Sequence, residues 1–164
     1  MTPEDIVITP RGLRYMGQFF PCSVGRGGIV ADKTEGDGAT PRGRHHVTGC
    51  LYRPDRVMRP NIWASPIYPG DLWSDDTDHA DYNQLVHAPY KHSHENLRRP
   101  DPLYDIVLLM DWNWPDPVPG KGSAIFIHRW RKPGHPTEGC VALHPLHLRY
   151  VAAKIVPGTS VIIG

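Results

Sequence analysis

Long apolar runs are missing from this chain of 164 residues. A bilayer-spanning helix needs about 20 consecutive apolar residues, and no stretch here approaches that, so nothing reads as a membrane span. An excess of charge of one sign is missing too. Eighteen Lys and Arg face seventeen Asp and Glu, a formal net charge of +1, which argues against the clustered basic face of a nucleic-acid binder. Cysteine is scarce and odd in number, Cys22, Cys50 and Cys140, which does not read as a disulfide framework. A Cys22–Cys50 bridge would leave Cys140 free, but Cys22 and Cys50 each read better as a small buried hydrophobe. Two nucleotide signatures are absent as well. Gly25-Arg26-Gly27-Gly28 is followed by neither Gly-Lys-Ser/Thr nor a helical run, so it reads as a plain turn. Asp75-Asp76-Thr77-Asp78 lacks the glycine and distal glutamate of a calcium loop and reads as a solvated acidic turn.

What the chain does have is turn formers: eighteen prolines and sixteen glycines, which favour short strands joined by turns over a helical bundle. The length suits one domain that buries roughly 70% of its unfolded surface. Ile6 to Thr9 and Leu13 to Tyr15 flank Pro10-Arg11-Gly12 as a hairpin, and Gln18 to Val24 and Ile29 to Lys33 continue the meander. Ile106-Val107-Leu108-Leu109-Met110 is a short continuous apolar run, as expected of a central strand buried on both faces, with Ala124 to His128 as its partner. Pro145 opens the best helical pattern, with Leu148, Val151, Ala152 and Ile155 at helical spacing before Pro157-Gly158. Residues 53–102 are irregular and insertion-like, with short structured pieces expected near Ile62-Trp63-Ala64 and Tyr82 to Val86. They read equally as a wall beside a site or as a packed surface excursion. The expectation is a mainly β fold with a few helices.

Chemistry concentrates near the C-terminus. Ile125-Phe126-Ile127-His128 puts a histidine at the end of an apolar strand, and Thr137-Glu138-Gly139-Cys140-Val141-Ala142-Leu143 puts a cysteine directly after a glycine. A free thiol with a pKa of about 8.5 is only a few per cent thiolate at neutral pH, and a neighbouring imidazole can remove its proton. Glycine lets the chain turn sharply and lets a carbonyl approach the amides of Glu138, Gly139 and Cys140, a candidate oxyanion hole.

These residues resemble the signature of the L,D-transpeptidase (YkuD-type) catalytic domain, in which a strand-end His precedes a loop and then Ser/Thr-x-Gly-Cys. Asp37-Gly38-Ala39-Thr40-Pro41-Arg42-Gly43 is similar to that family's Thr-Pro-x-Gly turn, and Lys121-Gly122-Ser123-Ala124-Ile125-Phe126-Ile127-His128 to the strand carrying the base. With the closing strand Pro157 to Ile163, the resemblance spans nearly the whole chain. Three positions depart from the usual pattern: Ala142 stands where many members have Arg, Thr137 replaces the usual Ser, and Arg129 follows the base.

The resemblance implies a single YkuD-like β-sandwich domain over residues 1–164, with the active site at a strand end and the loop after it. It implies a bacterial cell-wall enzyme whose partner is a peptidoglycan stem peptide or precursor. Cys140 is then the nucleophile, His128 the base, and the backbone carbonyl of Arg129 the group that orients the imidazole. Thr137, Asn113 and Arg131, with Lys132 beside it, are candidates for substrate binding. No cofactor or metal is implied. Resolution of a thioester by an amine makes a transpeptidase; resolution by water makes an L,D-carboxypeptidase or amide hydrolase. The opening Met1-Thr2-Pro3-Glu4-Asp5 lacks a basic segment followed by an apolar core. The chain as written therefore reads as cytoplasmic, and as a protein of the cell envelope or periplasm if an export signal is missing from it.

Two rival readings use the same residues. His128, His135, His144 and His147 with Cys140 raise a zinc site, but Pro145 works against stacking Cys140 and His144 on one helical turn. His144 also competes with His128 as base, and a rigid strand end favours His128. A non-catalytic module that binds peptidoglycan fragments or zinc is the alternative from another class.

Overall fold

The computed structural model describes residues 2–164. Among these, fifteen strands and one α-helix follow in chain order. The first six strands are β1 (Ile6–Thr9), β2 (Gly12–Tyr15), β3 (Gln18–Phe20), β4 (Cys22–Ser23), β5 (Ile29–Val30) and β6 (Thr40–Pro41). Next come β7 (Gly43–Tyr52), β8 (Ser65–Pro66), β9 (Asp71–Ser74), β10 (Leu85–His87) and β11 (His94–Asn96). The last are β12 (Ile106–Met110), β13 (Phe126–Arg129), β14 (Val141–Leu143), the helix α1 (Pro145–Lys154) and β15 (Ser160–Ile163).

Ten strands form one sheet in the order β3-β2-β1-β15-β7-β12-β13-β14-β4, with β8 pairing beside β7. Its two end strands, β3 and β4, are joined through Pro21 alone, so the sheet curls until its ends meet, and the architecture is sandwich-like and close to a barrel. Alternation along the strands shows how the layers arise. Ile6 and Ile8 of β1 and Val161 and Ile163 of β15 point into the enclosed core, the period-two pattern of a half-buried strand.

The central strand β12 is apolar throughout because it has a core on each face. Ile106, Leu108 and Met110 join the main core with Leu148, Val151 and Ala152 of α1. Val107 and Leu109 face a second core of Ile67, Trp73, Leu97, Leu103, Tyr104 and Phe126. The expected β12–β13 pairing is present, antiparallel, with Leu108 opposite Ile127. The helix also begins where Pro145 predicts: His144 caps it, its ring accepting from the amide of Leu146 at 3.2 Å.

Three differences from the sequence reading have physical causes. The ten-residue β7 is the longest strand and joins β15 to β12; its buried positions are His45, Val47 and Cys50, so no apolar alternation announces it. The strand expected over Ile29 to Lys33 stops at Val30, and Lys33 is instead buried in an ion pair with Asp37 at 2.7 Å. Residues 53–102 carry a small antiparallel sheet, β10-β9-β11. In the same segment Trp63 forms no strand but donates its ring N–H to the carbonyl of Ile155 at 3.2 Å. Among the described residues no helix is long and apolar enough to cross a membrane.

Candidate active site

The parallel pair β13–β14 places the two reactive side chains. Ile127 lies opposite Val141 and His128 opposite Ala142. Ile127 and Val141 both enter the main core, so the alternation of strand side chains sends Phe126, His128, Cys140 and Ala142 to the other face. A cavity of about 600 Å³ opens there, lined among others by His128, Cys140, Tyr104, Glu95, Arg99 and Arg131. Parallel pairing requires the chain to return after Arg129 before entering β14. The Trp130 to Gly139 loop makes that return, and Cys140 stands at its end.

Cys140 is tethered on both sides. Its Sγ donates to the carbonyl of Ala124 at 3.1 Å and accepts from the amide of Phe126 at 3.4 Å. Burial pushes the thiol up to about 12, reinforced by the negative charge of Glu95 and opposed by the Phe126 amide and Lys33. His128 is 7% exposed, and burial holds it down to about 4, against the pull of the Arg129 carbonyl. Nδ1 of His128 lies 2.7 Å from that carbonyl. A carbonyl only accepts, so the proton sits on Nδ1 and Nε2 is left as the basic nitrogen. The edge of the Tyr104 ring packs against the imidazole with centroids 5.3 Å apart.

The loop before the cysteine is braced by the N-terminal half of the chain. Thr40, fully buried, donates its hydroxyl to the carbonyl of Gly139 at 2.8 Å and accepts from the amide of Gly25 at 2.8 Å. The Thr137 amide donates to Val24 and the Arg26 amide to Thr137, and the Arg26 guanidinium pairs with Glu138 at 2.9 Å. The glycine-rich turn at 25–28 is therefore more than a turn: it is stitched to the cysteine loop, and a Cβ on Gly25 would collide with the carbonyl of Gly38. Asp37 stiffens the facing turn by accepting from Lys33 and from the amides of Thr34 and Ala39.

This bracing changes the parts expected of two residues. The Gly139 amide donates to Thr137 Oγ1 at 3.1 Å, so in this geometry it is not free to hold an oxyanion. Glycine is required there for another reason: φ is +135° and a Cβ would lie 2.8 Å from the carbonyl of Ala39. Thr137 Oγ1 in turn donates to the carbonyl of Cys140 at 2.5 Å, so the hydroxyl shapes the loop although Thr137 lines the cavity. Glu138 and Arg131 are exposed at the cavity rim. Arg129 contributes its carbonyl and does not line the cavity.

Asn113 is not brought to the site. Its side-chain amide donates to the carbonyls of Val118 and Gly122 and accepts from the amide of Val118, closing a loop of its own. Trp112 packs against the main core and stands edge-on to His45. His144 and His147 belong to the N-terminal part of α1 and touch each other, while α1 buries its apolar side in the main core. Among the described residues no group of three or more His, Cys, Asp or Glu side chains is placed to hold a metal ion. The three cysteines are free.

The residues that sequence reasoning missed come largely from 53–102 and its margin. Asp75, Glu95 and Arg99 line the cavity with Tyr104, so this segment forms one of its walls. Tyr104 donates its hydroxyl to Glu95 Oε2 at 2.8 Å, and the Arg99 guanidinium lies 5.2 Å above the Tyr104 ring while forking onto Asp101. Glu95 sits on the three-residue polar strand β11, whose sequence carries no periodic signal.

Among curated proteins none matches this chain. Among solved structures it is similar to an L,D-transpeptidase from Mycobacterium smegmatis, at 13% identity and a TM-score of 0.47, over 97% of this chain and 57% of that one. The chain thus spans little more than half the length of that relative. The family model of the YkuD, or L,D-transpeptidase, catalytic domain matches residues 8–163, and the chain belongs to that family.

Proposed function

We propose that this protein is a cysteine-dependent acyltransferase acting on peptidoglycan stem peptides. The observation that carries the reading is the placement of His128 and Cys140 on one face of the β13–β14 pair, opening together into the cavity, with Nε2 left basic by the bond from Nδ1 to Arg129.

With the thiol pushed up and the imidazole held down, both groups are neutral at rest. A preformed thiolate–imidazolium pair is not the starting state, and the proton moves as attack proceeds. Cys140 Sγ attacks the carbonyl between the third and fourth stem residues, and His128 Nε2 receives the thiol proton. The amides of Cys140 and Glu138, which Thr137 Oγ1 does not occupy, are the donors nearest in the chain to the developing oxyanion. The C–N bond breaks, the terminal D-amino acid leaves with the proton from His128, and a thioester remains on Cys140. An incoming amine attacks that thioester, His128 takes its proton, and Cys140 departs as the thiol. Arg131, exposed at the rim, is placed to receive a stem carboxylate where Ala142 stands in place of the usual arginine.

Intact-mass spectrometry with a disaccharide-tetrapeptide tests the reading, comparing wild type with Cys140→Ala and His128→Ala. The expected result is an acyl adduct, or loss of the terminal D-residue, in the wild type alone. Turnover that survives Cys140→Ala would overturn it. The product mass separates capture by an amine from hydrolysis by water.

A further inference from the structure

Asn83 is enclosed, 2% exposed, and its side-chain amide is fully bonded. Oδ1 accepts from the indole N–H of Trp73 at 2.9 Å and from the backbone amide of Ala124 at 3.0 Å. Nδ2 donates to the carbonyl of Trp112 at 3.1 Å and to that of Asn113 at 2.7 Å. These four bonds exhaust what an asparagine side chain can form. One side chain thus ties Trp73 of β9 to the turn after β12 and to the residues that lead into β13. Its neighbour Tyr82 grips the same lead, its hydroxyl accepting from the amide of Gly122 at 2.9 Å and donating to Glu35.

Ala124 carries that grip to the nucleophile. Its φ is +53°, in the left-handed region where a residue with a Cβ stays only if its surroundings hold it. With its amide pinned by Asn83, its carbonyl meets Cys140 Sγ, which donates to it at 3.1 Å. Two residues on, the Phe126 amide gives Sγ its second contact at 3.4 Å. Among the described residues the hydrogen bonds of the thiol run to these two groups and not to His128. The sulfur is therefore fixed from two sides by the backbone of residues 124–126, while its proton rests on a carbonyl and not on the base.

We propose that Asn83, which does not itself line the cavity, is a positioning residue for the nucleophile: by pinning the Ala124 amide it aims the Ala124 carbonyl at Cys140 and sets where the sulfur stands before attack. The inference rests on the reading of the function given above. A carbonyl holds the thiol proton but does not carry it away, so at attack the S–H swings from the Ala124 carbonyl to His128 Nε2. Nε2 takes the proton as the bond from Sγ to the substrate carbon forms, and the Phe126 amide keeps its hold on the sulfur. A reacting group misplaced by about 1 Å loses about a hundredfold in rate, and Asn83 prevents that misplacement. Without its side chain Ala124 is free to relax toward negative φ, which turns the carbonyl away from the thiol.

Asn83 sits at a φ of +55°, so Asn83→Gly removes the side chain without straining the backbone. Asn83→Ser, whose side chain is too short to reach Ala124, is the second variant should the first not fold, with the same expectations. The infrared S–H stretching band of Cys140, isolated by difference against the same protein carrying Cys140→Ala, reports whether the thiol donates. In the wild type it is expected at the lowered wavenumber of a donating thiol, and in Asn83→Gly it should rise toward that of a free one. Single-turnover acylation of Cys140 by a disaccharide-tetrapeptide, followed by intact mass, should fall about ten- to a hundredfold in Asn83→Gly at an unchanged half-saturating concentration. A general loosening of the fold would instead raise that concentration. An unmoved band overturns the proposal, as does acylation that is unchanged or faster, or a loss confined to substrate affinity. If the tetrapeptide does not acylate the wild type, the proposed function falls, and the band, which needs no substrate, decides alone: a rise upholds the aiming of the Ala124 carbonyl by Asn83, and an unmoved band overturns it.

Discussion

Thr40 Oγ1 donates to the carbonyl of Gly139, 99 residues further along the chain, at 2.8 Å. The same oxygen accepts from the Gly25 amide, so one buried hydroxyl links the Thr-Pro-x-Gly turn, the glycine-rich turn and the peptide preceding Cys140. That turn thus acts at a distance, by fixing where the backbone of Cys140 lies.

Thr40→Val keeps the shape and removes both hydrogen bonds. It is expected to cost about 2 kcal/mol of stability, since two buried backbone groups lose their partner, and to slow acylation of Cys140 more than it weakens substrate binding. Thr40→Ser should restore both. Urea unfolding and single-turnover mass spectrometry check the two parts, and a valine variant as stable as wild type would sink the account.

Gly139→Ala combines a φ of +135° with a Cβ placed 2.8 Å from the Ala39 carbonyl. A destabilisation of about 3 kcal/mol is expected from strain and contact together, with loss of acylation in whatever folds. A thermal melt superimposable on that of the wild type would show that the loop gives way more easily than this geometry implies.

The raised pKa of the half-buried Cys140 thiol predicts sluggish alkylation. With Cys140 pushed up to about 12, iodoacetamide at neutral pH should modify it at least about tenfold more slowly than a free thiol such as glutathione. The rate should still be climbing above pH 9, and Glu95→Gln should raise it by removing the neighbouring negative charge. Rapid modification at pH 7, levelling off by pH 8, would point to a preformed thiolate.

Buried neutral His128 makes stability depend on pH. Its folded-state value is held near 4, below its ordinary 6.5, so between those values the unfolded chain binds the proton and the folded protein does not. The contribution is therefore complete above pH 6.5 and is lost as the pH falls toward 4, by about 3 kcal/mol. Denaturant unfolding of wild type and His128→Gln at pH 7.5 and 4.5 isolates it: the wild type should lose more stability on acidification than the variant. Parallel losses would contradict the burial argument.

Arg131→Ala should raise KM about three- to tenfold with little change in kcat, because a rim carboxylate contact holds substrate and transition state alike. A fall in kcat at unchanged KM would place Arg131 nearer the reacting carbonyl.

Sequence periodicity sufficed for elements whose side chains face one environment per face. The two-sided apolar run of β12, its pairing with β13, and α1 from Pro145 onward were all legible, because burial on a pleated or helical surface imposes a repeat that the residues display. The family resemblance carried the candidate base and nucleophile, since strand-end His and Gly-Cys are local patterns. The longest strand, β7, escaped because His45 and Cys50 take positions where aliphatic residues would have signalled it. The acidic lining of the cavity escaped because Glu95 and Asp75 are ordinary polar residues until the fold brings them to the cavity that contains Cys140.

By itself, then, the sequence determined the chemistry on offer: a thiol after a glycine, an imidazole at a strand end, and alternating patterns that demand a β-rich core. Only the tertiary structure decided how that chemistry is conditioned. Which amide Thr137 occupies, why Gly139 must be glycine, how far burial separates the two proton affinities, and which carboxylates share the cavity with Cys140 all depend on groups distant in the chain. Local sequence constrains a residue's own backbone, whereas a pKa, a steric limit or an unmatched charge is set by whatever neighbours folding brings within a few ångströms.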